Sequence, residues 1–225
     1  MKRDLLICST MRENSSRCRA KMVRPFYDTT MADIMMSKLE KLNKNYSTIL
    51  AIYPGDKRLS AKIKDYDIEI VERNKHSVTD ANRCNETCSF LKDFEYSHVL
   101  WLNASAPFIT IKTIKNVIKK FKEDKSVESI HVVKEINNWI WNIDFNPINL
   151  SNLSFTRTQE CNKTYASIHV LHLYNREYML QTGRYWTLEP NNPFFYVVKD
   201  DFEFLDVDTE FDFRLCELIY QERNW

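Results

Sequence analysis

Two adjacent segments indicate the fold class of this chain: Asp4-Leu5-Leu6-Ile7-Cys8-Ser9-Thr10 and Met11-Arg12-Glu13-Asn14-Ser15-Ser16-Arg17-Cys18-Arg19-Ala20-Lys21. The first segment is a short apolar run, which is typical of a strand covered on both faces of a sheet. The second segment is a basic loop that also carries hydroxyl groups. Ligands of open α/β sheets bind beyond the carboxyl ends of the strands, so this position predicts an anion site. A solvated basic loop without a ligand is the alternative interpretation.

Glycine usage limits how such a loop could hold phosphate. The chain has two glycines, Gly55 and Gly183, which excludes a Gly-x-Gly-x-x-Gly loop and a Walker A loop. Arg offers a planar fork for phosphate oxygens, Lys offers a point charge, and backbone N–H groups after a strand can form an anion nest. Asn14 tolerates a left-handed backbone, so we expect it to replace glycine at a tight turn.

Strand-like and helix-like segments alternate through the first 134 residues. The strand-like runs are Leu5–Thr10, Thr48–Tyr53, Ile68–Glu72, Val99–Leu102 and Ser129–Val133. The helical patterns are Met31–Leu42, Asp80–Phe94 (opened by a capping Asp80) and Ile111–Phe121. This alternation predicts an α/β fold with a largely parallel central sheet.

The pattern changes after about residue 134. Strands are predicted at Trp139–Phe145, Ile168–Tyr174 and Phe194–Val198, and a closing helix at Glu210–Glu222. The segment Asn137–Gln159 is interpreted as a β-hairpin or arm that leaves the sheet. We expect one domain over residues 1–225, with this dimerisation or acceptor excursion at about 137–165.

Composition limits the classes of partner. The 225 residues are 44% hydrophobic and 13% aromatic, which is enough for a sizeable core, and the net charge is +1. No global charge attracts nucleic acid, and no apolar run approaches the roughly 20 residues that span a bilayer. We therefore expect no nucleic-acid or membrane partner, and a cytoplasmic location.

A second chemical feature lies near the other end, at Phe204-Leu205-Asp206-Val207-Asp208-Thr209-Glu210-Phe211-Asp212-Phe213. Asp206 and Asp208 are two positions apart, so in an extended segment they project to one side. Such a carboxylate pair can hold Mg²⁺ beside the phosphates of a nucleotide. Capping of the following helix by Asp208 or Thr209 is the structural alternative, but it accounts for one of the two aspartates only.

The two segments together resemble the CMP-sialic acid synthetase (acylneuraminate cytidylyltransferase) family. The spacing Arg12-x-x-Ser15-x-x-x-x-x-Lys21 is similar to its nucleotide loop, and Leu205-Asp206-Val207-Asp208-Thr209-Glu210-x-Asp212-Phe213 is similar to its second signature. Looser similarities fall in order between them: Arg73 with Asp80, Leu102-Asn103-Ala104-Ser105-Ala106-Pro107-Phe108, Arg157-x-Gln159, and Ala166-Ser167-Ile168-His169-Val170.

The resemblance implies a Rossmann-like, three-layer nucleotidyltransferase fold (GT-A-like) with a mostly parallel sheet and a small β arm. It also implies transfer of CMP from CTP to a sialic-acid-like 2-keto sugar acid, with release of pyrophosphate and with Mg²⁺ as cofactor. The implied roles are catalysis by Lys21, Asp206 and Asp208, with the two aspartates as metal ligands. Nucleotide binding falls to Arg12, Ser15, Ser16, Lys21, Arg73 and Asn103, and acceptor binding to Arg157, Gln159 and His169. Family members are commonly dimers, so a homodimer is expected.

Two other functions stay open at this stage. A GT-A-like glycosyltransferase could use Asp206-Val207-Asp208 as its metal motif, although such a motif normally lies in the middle of the domain. A non-catalytic nucleotide-binding relative would keep the basic loop and lose turnover.

Overall fold

The computed structural model describes residues 4–79, 81–150 and 157–223. The predicted capping residue Asp80 and part of the predicted excursion lie outside these residues. The strands are β1 (Leu5–Thr10), β2 (Thr48–Ile52), β3 (Glu69–Glu72), β4 (His98–Asn103), β5 (Ile130–Ile136), β6 (Thr164–Asn175) and β7 (Phe194–Val197). They form one sheet in the order β3-β2-β1-β4-β6-β5-β7.

The sheet is mostly parallel, as predicted. Strand β1 is parallel to both β2 and β4, β2 is parallel to β3, and β5 is parallel to β7, whereas β6 is antiparallel to β4 and to β5. The chain builds outward from β1 to β3 on one side and then returns to place β4 on the other side of β1. The carboxyl ends of β1 and β4 therefore flank a topological switch point, where α/β sheets bind ligands.

The helices are α1 (Met31–Asn43), α2 (Lys57–Ile63), α3 (Lys75–Thr79), α4 (Cys84–Thr87), α5 (Ile111–Glu123), α6 (Arg176–Thr182) and α7 (Glu210–Arg223). The two long helices after β1 and β4 begin at threonine caps: Thr30 accepts from the Asp33 amide and Thr110 accepts from the Thr113 amide. Such caps satisfy amides that have no partner within the helix. Within the described residues, no helix has the length and apolar character needed to cross a membrane.

A large apolar core contains the buried faces of α1 and α5, and a smaller one contains residues next to α4 and α6. In α5 the buried side chains are Ile114, Val117, Ile118 and Phe121, which follow the predicted helical spacing. The buried strand side chains divide between the two cores, so both faces of the sheet are covered.

The predicted helix Asp80–Phe94 is wrong as a single element. The chain forms α3 before it, then α4, and then a 3₁₀ turn at Ser89–Asp93. Arg83 is extended (φ −122°, ψ 153°), and the Glu86 carboxylate accepts a 2.8 Å hydrogen bond from the Asn82 amide. A side chain that bonds a nearby amide competes with helical pairing, so the helix does not propagate.

The predicted strand Trp139–Phe145 is also wrong. Trp141 and Pro147 make one isolated antiparallel bridge, and Asn142 Oδ1 accepts from the amides of Asp144 and Asn146. Phe145 closes this turn with φ 61°, in the left-handed region. Of the predicted excursion, the described residues around Asn142 form a tight turn that carries exposed aromatic side chains.

Candidate active site

A cavity of about 300 Å³ lies at the switch point between β1 and β4. It is lined by Thr10, Met11, Arg12, Ser15, Arg17, Lys21, Met22, Arg73, Ser77, Val78, Thr79, Ala81, Thr87, Trp101, Asn103, Ala104, Ser105 and Asp208. Four of these residues are basic and one is acidic, so the cavity presents mostly positive side chains. Such an environment favours an anionic ligand.

The basic loop is anchored to the start of α7. Arg24 contacts Glu210 at 2.8 Å, and its guanidinium lies 3.7 Å above the centre of the Phe213 ring. The tight turn in this loop is made by Ala20, with φ 53°, so the expectation for Asn14 is wrong. The carbonyl of Ala20 accepts hydrogen bonds from the two amides of Val23 and Arg24, which stabilises this turn without glycine.

Lys21 joins the basic loop to the aspartate segment. Its Nζ donates a hydrogen bond to the Val207 carbonyl and lies 3.7 Å from Asp208 Oδ1. Burial lowers the pKa of Lys21, and the carboxylates of Asp206 and Asp208 act in the opposite direction. Arg17 also contacts Asp208 Oδ1, at 3.0 Å. Two cations from one loop therefore face a single carboxylate at the cavity wall.

Two arginines shape the opposite wall. Arg73 is buried, and its Nη2 donates to the Ser77 carbonyl at 2.6 Å, while its Nε has no hydrogen-bond partner within the described chain. Burial lowers the pKa of Arg73. Arg12 is exposed, and its Nη1 donates to the Val78 carbonyl at 2.9 Å. Both side chains fix the end of α3 and keep further N–H groups for a ligand, because each guanidinium has five.

Asn103 connects β4 to the aspartate segment. Its Nδ2 donates to Asp206 Oδ2 at 3.1 Å, and its Oδ1 accepts from the Ser105 amide at 2.9 Å. The backbone adds a third link, since the Val207 amide donates to the Ser105 carbonyl at 2.9 Å. The position of the two aspartates is thus set by the end of β4 and not by α7 alone.

Asp206 has the electrostatics of a cation ligand. Its Oδ1 is buried and accepts no hydrogen bond from the described residues. Burial raises the pKa of Asp206, and so does the nearby Asp208, while Lys21, the Asn103 hydrogen bond and His169 lower it. An unpaired carboxylate oxygen beside a second carboxylate suits Mg²⁺, which takes one or two carboxylates and completes its shell with phosphate and water.

The protein alone supplies few ligands for such an ion. Residues 4–79, 81–150 and 157–223 contain no group of three or more His, Cys, Asp or Glu side chains arranged to hold a metal. Asp206 and Asp208 therefore fit a cation shared with a bound nucleotide better than a permanent structural metal.

Helix capping does not explain Asp208. Thr209 Oγ1 accepts from the Asp212 amide at 3.2 Å, and the Asp212 carboxylate accepts from the Thr209 amide at 2.8 Å. This reciprocal pair is a capping box, with aspartate in the place of the usual glutamate. The Asp208 side chain takes no part in this cap, and it contacts Arg17 and Lys21 of the basic loop instead.

The structure brings most of the expected site residues together. Arg12, Ser15, Lys21, Arg73, Asn103 and Asp208 line the cavity, and Asp206 is held beside it by Asn103. Ser16 is exposed and does not line the cavity. Arg157 and Gln159, in the exposed segment before β6, and His169, on β6, also lie outside its lining. Their role in acceptor binding stays a prediction.

Several lining residues were not singled out from sequence. Arg17 belonged to the recognised basic cluster, but nothing in its spacing distinguished it from Arg19, whose amide bonds Glu210. Trp101 lies in a buried strand, where an aromatic residue normally indicates core. Ser77 contributes its backbone carbonyl oxygen, which accepts from Arg73. Every residue type has this oxygen, so the side chain at position 77 gives no signal for it.

Comparison with solved structures finds close matches of fold at low sequence identity. The CMP:2-keto-3-deoxy-manno-octonic acid synthetase complexed with CTP has a TM-score of 0.69 and 12% identity, over 98% of this chain and 99% of that one. The 4-diphosphocytidyl-2C-methyl-D-erythritol synthase of Anaerococcus prevotii has a TM-score of 0.63 and 11% identity, over 97% and 98% of the two chains. A cytidylyltransferase from Leptospira borgpetersenii serovar Hardjo-bovis has a TM-score of 0.56 and 14% identity, over 97% and 86%.

Comparison with curated proteins by sequence gives no significant match. In contrast, the cytidylyltransferase family model matches residues 9–208. This match begins in β1 and ends at Asp208, so it contains both the basic loop and the aspartate pair. It favours nucleotidyl transfer over the glycosyltransferase alternative, and it does not distinguish the CMP-sialic acid synthetases from other members. The chain belongs to the cytidylyltransferase family and is a CTP-using nucleotidyltransferase.

Proposed function

We propose that this cytidylyltransferase transfers CMP from CTP to a hydroxyl group of a sialic-acid-like 2-keto sugar acid, in a Mg²⁺-dependent reaction that releases pyrophosphate. The observation that carries the proposal is the meeting of the basic loop with the aspartate pair at one cavity. Lys21 lies 3.7 Å from Asp208, at the end of the strand pair where a nucleotide would bind.

In this proposal the basic residues hold the triphosphate. Arg12 and Arg73 reach the cavity from one wall, and Lys21 and Arg17 from the other. Their charges offset the negative charge that develops on the leaving pyrophosphate, which is the main requirement of phosphoryl transfer. Lys21 is already fixed by the Val207 carbonyl, so little ordering is needed when the nucleotide binds.

Asp206 and Asp208 would hold Mg²⁺. When bound, the ion would neutralise phosphate charge and favour ionisation of the attacking hydroxyl. The unpaired Oδ1 of Asp206 supports this assignment. Asp208 would exchange part of its contact with Arg17 for the ion, because that contact is exposed and contributes little stability.

Two further features support the acceptor class and a homodimer. The 2-keto-3-deoxy-manno-octonic acid synthetase that shares this fold is named for a 2-keto sugar acid, which is the acceptor class implied by the motif resemblance.

The proposed homodimer is supported by exposed aromatic side chains on the excursion: the exposed fractions are 43% for Trp139, 50% for Trp141 and 85% for Phe145. Large exposed aromatic side chains on one segment suit a protein interface. Sedimentation of the chain and of Trp141→Ser tests the dimer, since the substitution should shift the mass towards that of one subunit.

The function is tested by a screen for pyrophosphate release. Each of the four nucleoside triphosphates is supplied with Mg²⁺ and a panel of 2-keto sugar acids, with aldoses and sugar alcohols as control acceptors. Release only with CTP and a keto acid is expected. Turnover with a sugar alcohol but with no keto acid would contradict the acceptor class and leave the family assignment intact.

A further inference from the structure

Three histidines form a continuous row beside the candidate active site. His131 lies on β5, and His172 and His169 lie on β6. His131 Nδ1 is 2.7 Å from His172 Nδ1, and His172 Nε2 is 3.0 Å from His169 Nδ1. At the far end, His131 Nε2 contacts the Ser167 hydroxyl. Among the described residues, every ring nitrogen along the row therefore has a partner except Nε2 of His169.

A register shift in the sheet makes this row possible. His131 pairs with His172, but Val133 pairs with Ser167. Between these two pairs, β6 therefore contains more residues than β5. Without such a bulge, residues 167 and 172 would point to opposite faces of the sheet because strand side chains alternate. The bulge brings the side chains of Ser167 and His172 to the two nitrogens of the His131 ring, and His169 contacts the other nitrogen of His172.

The two buried rings meet edge to edge. The planes of His131 and His172 differ by 1°, with centroids 4.5 Å apart. Face-to-face stacking would hold all atoms of the two rings about 3.5 Å apart or more, so a nitrogen separation of 2.7 Å requires an in-plane hydrogen bond. Tyr185 stacks on His172 at 4.6 Å and Trp101 at 5.6 Å, which fixes the ring plane.

Burial keeps these two rings neutral. His131 and His172 are 1% and 0% exposed. Burial lowers the pKa of His131 to about 4 and that of His172 well below its usual value, and His169 acts in the same direction on both. The groups that face them are Ser167 and His169 on β6, Trp101 on β4, and Tyr185 and Trp186 after α6.

Neutral rings allow only two arrangements of protons. Each neutral imidazole carries one N–H, and each of the two N···N contacts needs one proton. In one arrangement every N–H points towards Ser167, and Nε2 of His169 is a bare acceptor. In the other every N–H points towards His169, and Nε2 of His169 carries a proton. Which nitrogen of His169 carries the proton therefore depends on which nitrogens of His131 and His172 carry theirs.

The ends of the row are placed for exchange of protons. His169 and Ser167 are both exposed, whereas the two central rings are not. His169 is close enough to Asp206 to lower the pKa of that carboxyl, although burial and Asp208 have larger effects in the opposite direction. Trp101, which stacks on His172, also lines the cavity. The row therefore runs close to the aspartate pair and to the cavity wall that Trp101 forms.

We propose that Ser167, His131, His172 and His169 form a proton relay in which His169 Nε2 is the base that takes the proton from the acceptor hydroxyl. The inference rests on the proposed transfer to a hydroxyl group. As the acceptor oxygen forms its bond to the α-phosphorus, the bond from that phosphorus to the bridging oxygen breaks. Pyrophosphate leaves with the electron pair, and the hydroxyl proton passes to His169 Nε2.

The relay keeps the buried rings neutral while this proton moves. His169 gives its Nδ1 proton to His172 Nε2, His172 gives its Nδ1 proton to His131 Nδ1, and His131 gives its Nε2 proton to Ser167. The hydroxyl of Ser167 releases its own proton to water. One proton enters and one leaves, and both ends of the row are open to solvent for the return. His131 and His172 are positioning residues in this scheme, and His169 is the catalytic one.

The first test removes the base. His169→Ala should lower the turnover number of pyrophosphate release by roughly 10²–10⁴-fold, the usual contribution of a general base, with unchanged CTP affinity. Added imidazole should restore part of the lost rate. His76→Ala, a change at another exposed histidine, should alter neither quantity. Normal turnover of His169→Ala would overturn the proposal, and so would a loss that imidazole does not repair.

The second test separates relay from structure. His131→Asn and His172→Asn keep a polar group but cannot exchange donor and acceptor roles between two nitrogens. Both should lower the turnover number without changing the KM for CTP, and imidazole should not rescue either variant because the gap it would fill is buried. A rise in KM that matches the fall in turnover number, in proportion to the loss of thermal stability, would show that the row is structural. That result would overturn the relay.

A third readout does not depend on any acceptor. Nitrogen-15 spectra of the histidine side chains report tautomers directly. His131 should stay neutral down to about pH 5, because its pKa is lowered to about 4, and His172 should be neutral at the pH where a free imidazole is half protonated. His131→Asn should change the tautomer balance of His169. Protonation of either buried ring above pH 6 would overturn the relay. The same His169 tautomer balance in the wild type and in His131→Asn would also overturn it. If these spectra agree with expectation while no keto acid is turned over, the proposed acceptor fails and the relay stands.

Discussion

The side-chain nitrogen Nδ2 of Asn103 donates a 3.1 Å hydrogen bond to Asp206 Oδ2. This bond links the end of β4 to the aspartate segment near the other end of the chain. Asn103 lines the cavity, and one buried oxygen of Asp206 accepts no hydrogen bond from residues 4–79, 81–150 and 157–223. The residue expected to read the base and the residue expected to hold the metal are therefore in direct contact. If both residues have these proposed roles, this hydrogen bond would couple base selection to the position of the metal.

The first prediction concerns this contact. Asn103→Ala should reduce the preference for CTP over UTP, because a pocket built to hydrogen-bond one base edge discriminates against a base that presents the wrong group. The measurement is kcat/KM for each nucleotide with a fixed acceptor. A fall in turnover with an unchanged CTP-to-UTP ratio would contradict base reading and would restrict Asn103 to positioning Asp206.

The second prediction concerns the triphosphate. Arg12→Ala should weaken CTP binding by roughly 1.5–3 kcal/mol, the range for a hydrogen bond to a charged group. Titration calorimetry with CTP measures this directly. Arg214→Ala is a matched control, because Arg214 is exposed on α7 and pairs with Glu217 away from the cavity. Equal affinity in the Arg12 variant and the wild type would remove this arginine from the site.

The third prediction concerns pH and stability. Burial lowers the pKa of Lys38 to about 7, Glu203 acts in the opposite direction, and Nζ of Lys38 donates to the Pro107 carbonyl. Between about pH 7 and 10 the unfolded chain binds more protons at this site than the folded one. The free energy of unfolding should therefore rise with pH in this window, with a contribution approaching about 1.4 kcal/mol per pH unit.

Urea unfolding at several pH values checks this dependence. Lys38→Met should remove the Lys38 contribution to the slope, while Lys44→Met, a change just after the same helix at a residue that does not act on Lys38, should leave it. A slope that is the same in wild type and Lys38→Met would show that the Lys38 amine is solvated in the folded protein.

The sequence was sufficient for the parallel half of the sheet and for the two chemical segments. Runs such as Leu5–Thr10 are apolar throughout, and Ile111–Glu123 is amphipathic with a threonine cap, so local pattern and tertiary burial agree. The Asp206 and Asp208 pair was recognisable because capping explains only one such residue, and the structure shows that Thr209 is the cap.

The errors have physical causes that local sequence does not contain. The segment Asp80–Phe94 has a helical spacing, but Glu86 bonds the Asn82 amide and the chain breaks into short turns. Trp139–Phe145 has the composition of a strand, but in the part of the chain that the structure describes its only β-pairing is the isolated bridge from Trp141 to Pro147. The histidine row depends on a β-bulge between β5 and β6, and scattered positions in sequence give no sign that such side chains meet.

The fourth prediction tests the central claim, that the two aspartates and the basic loop form one Mg²⁺-dependent nucleotidyl-transfer site. Asp206→Asn and Asp208→Asn each remove one carboxylate charge and keep the side-chain shape. Both variants should stay folded, because the Thr209 and Asp212 capping box is untouched. Thr209→Ala is the control, and it should cost about 1 kcal/mol of stability with little change in turnover.

The most direct measurement is pyrophosphate release from CTP and the 2-keto sugar acid identified by the screen, as a function of Mg²⁺ concentration, for the wild type and the two asparagine variants. The wild type should saturate with Mg²⁺, whereas both variants should lose most of their turnover at limiting Mg²⁺ and recover only part of it when the ion is in excess. Near-normal rates in both variants at limiting Mg²⁺ would contradict the assignment of Asp206 and Asp208 and, with it, the proposed mechanism.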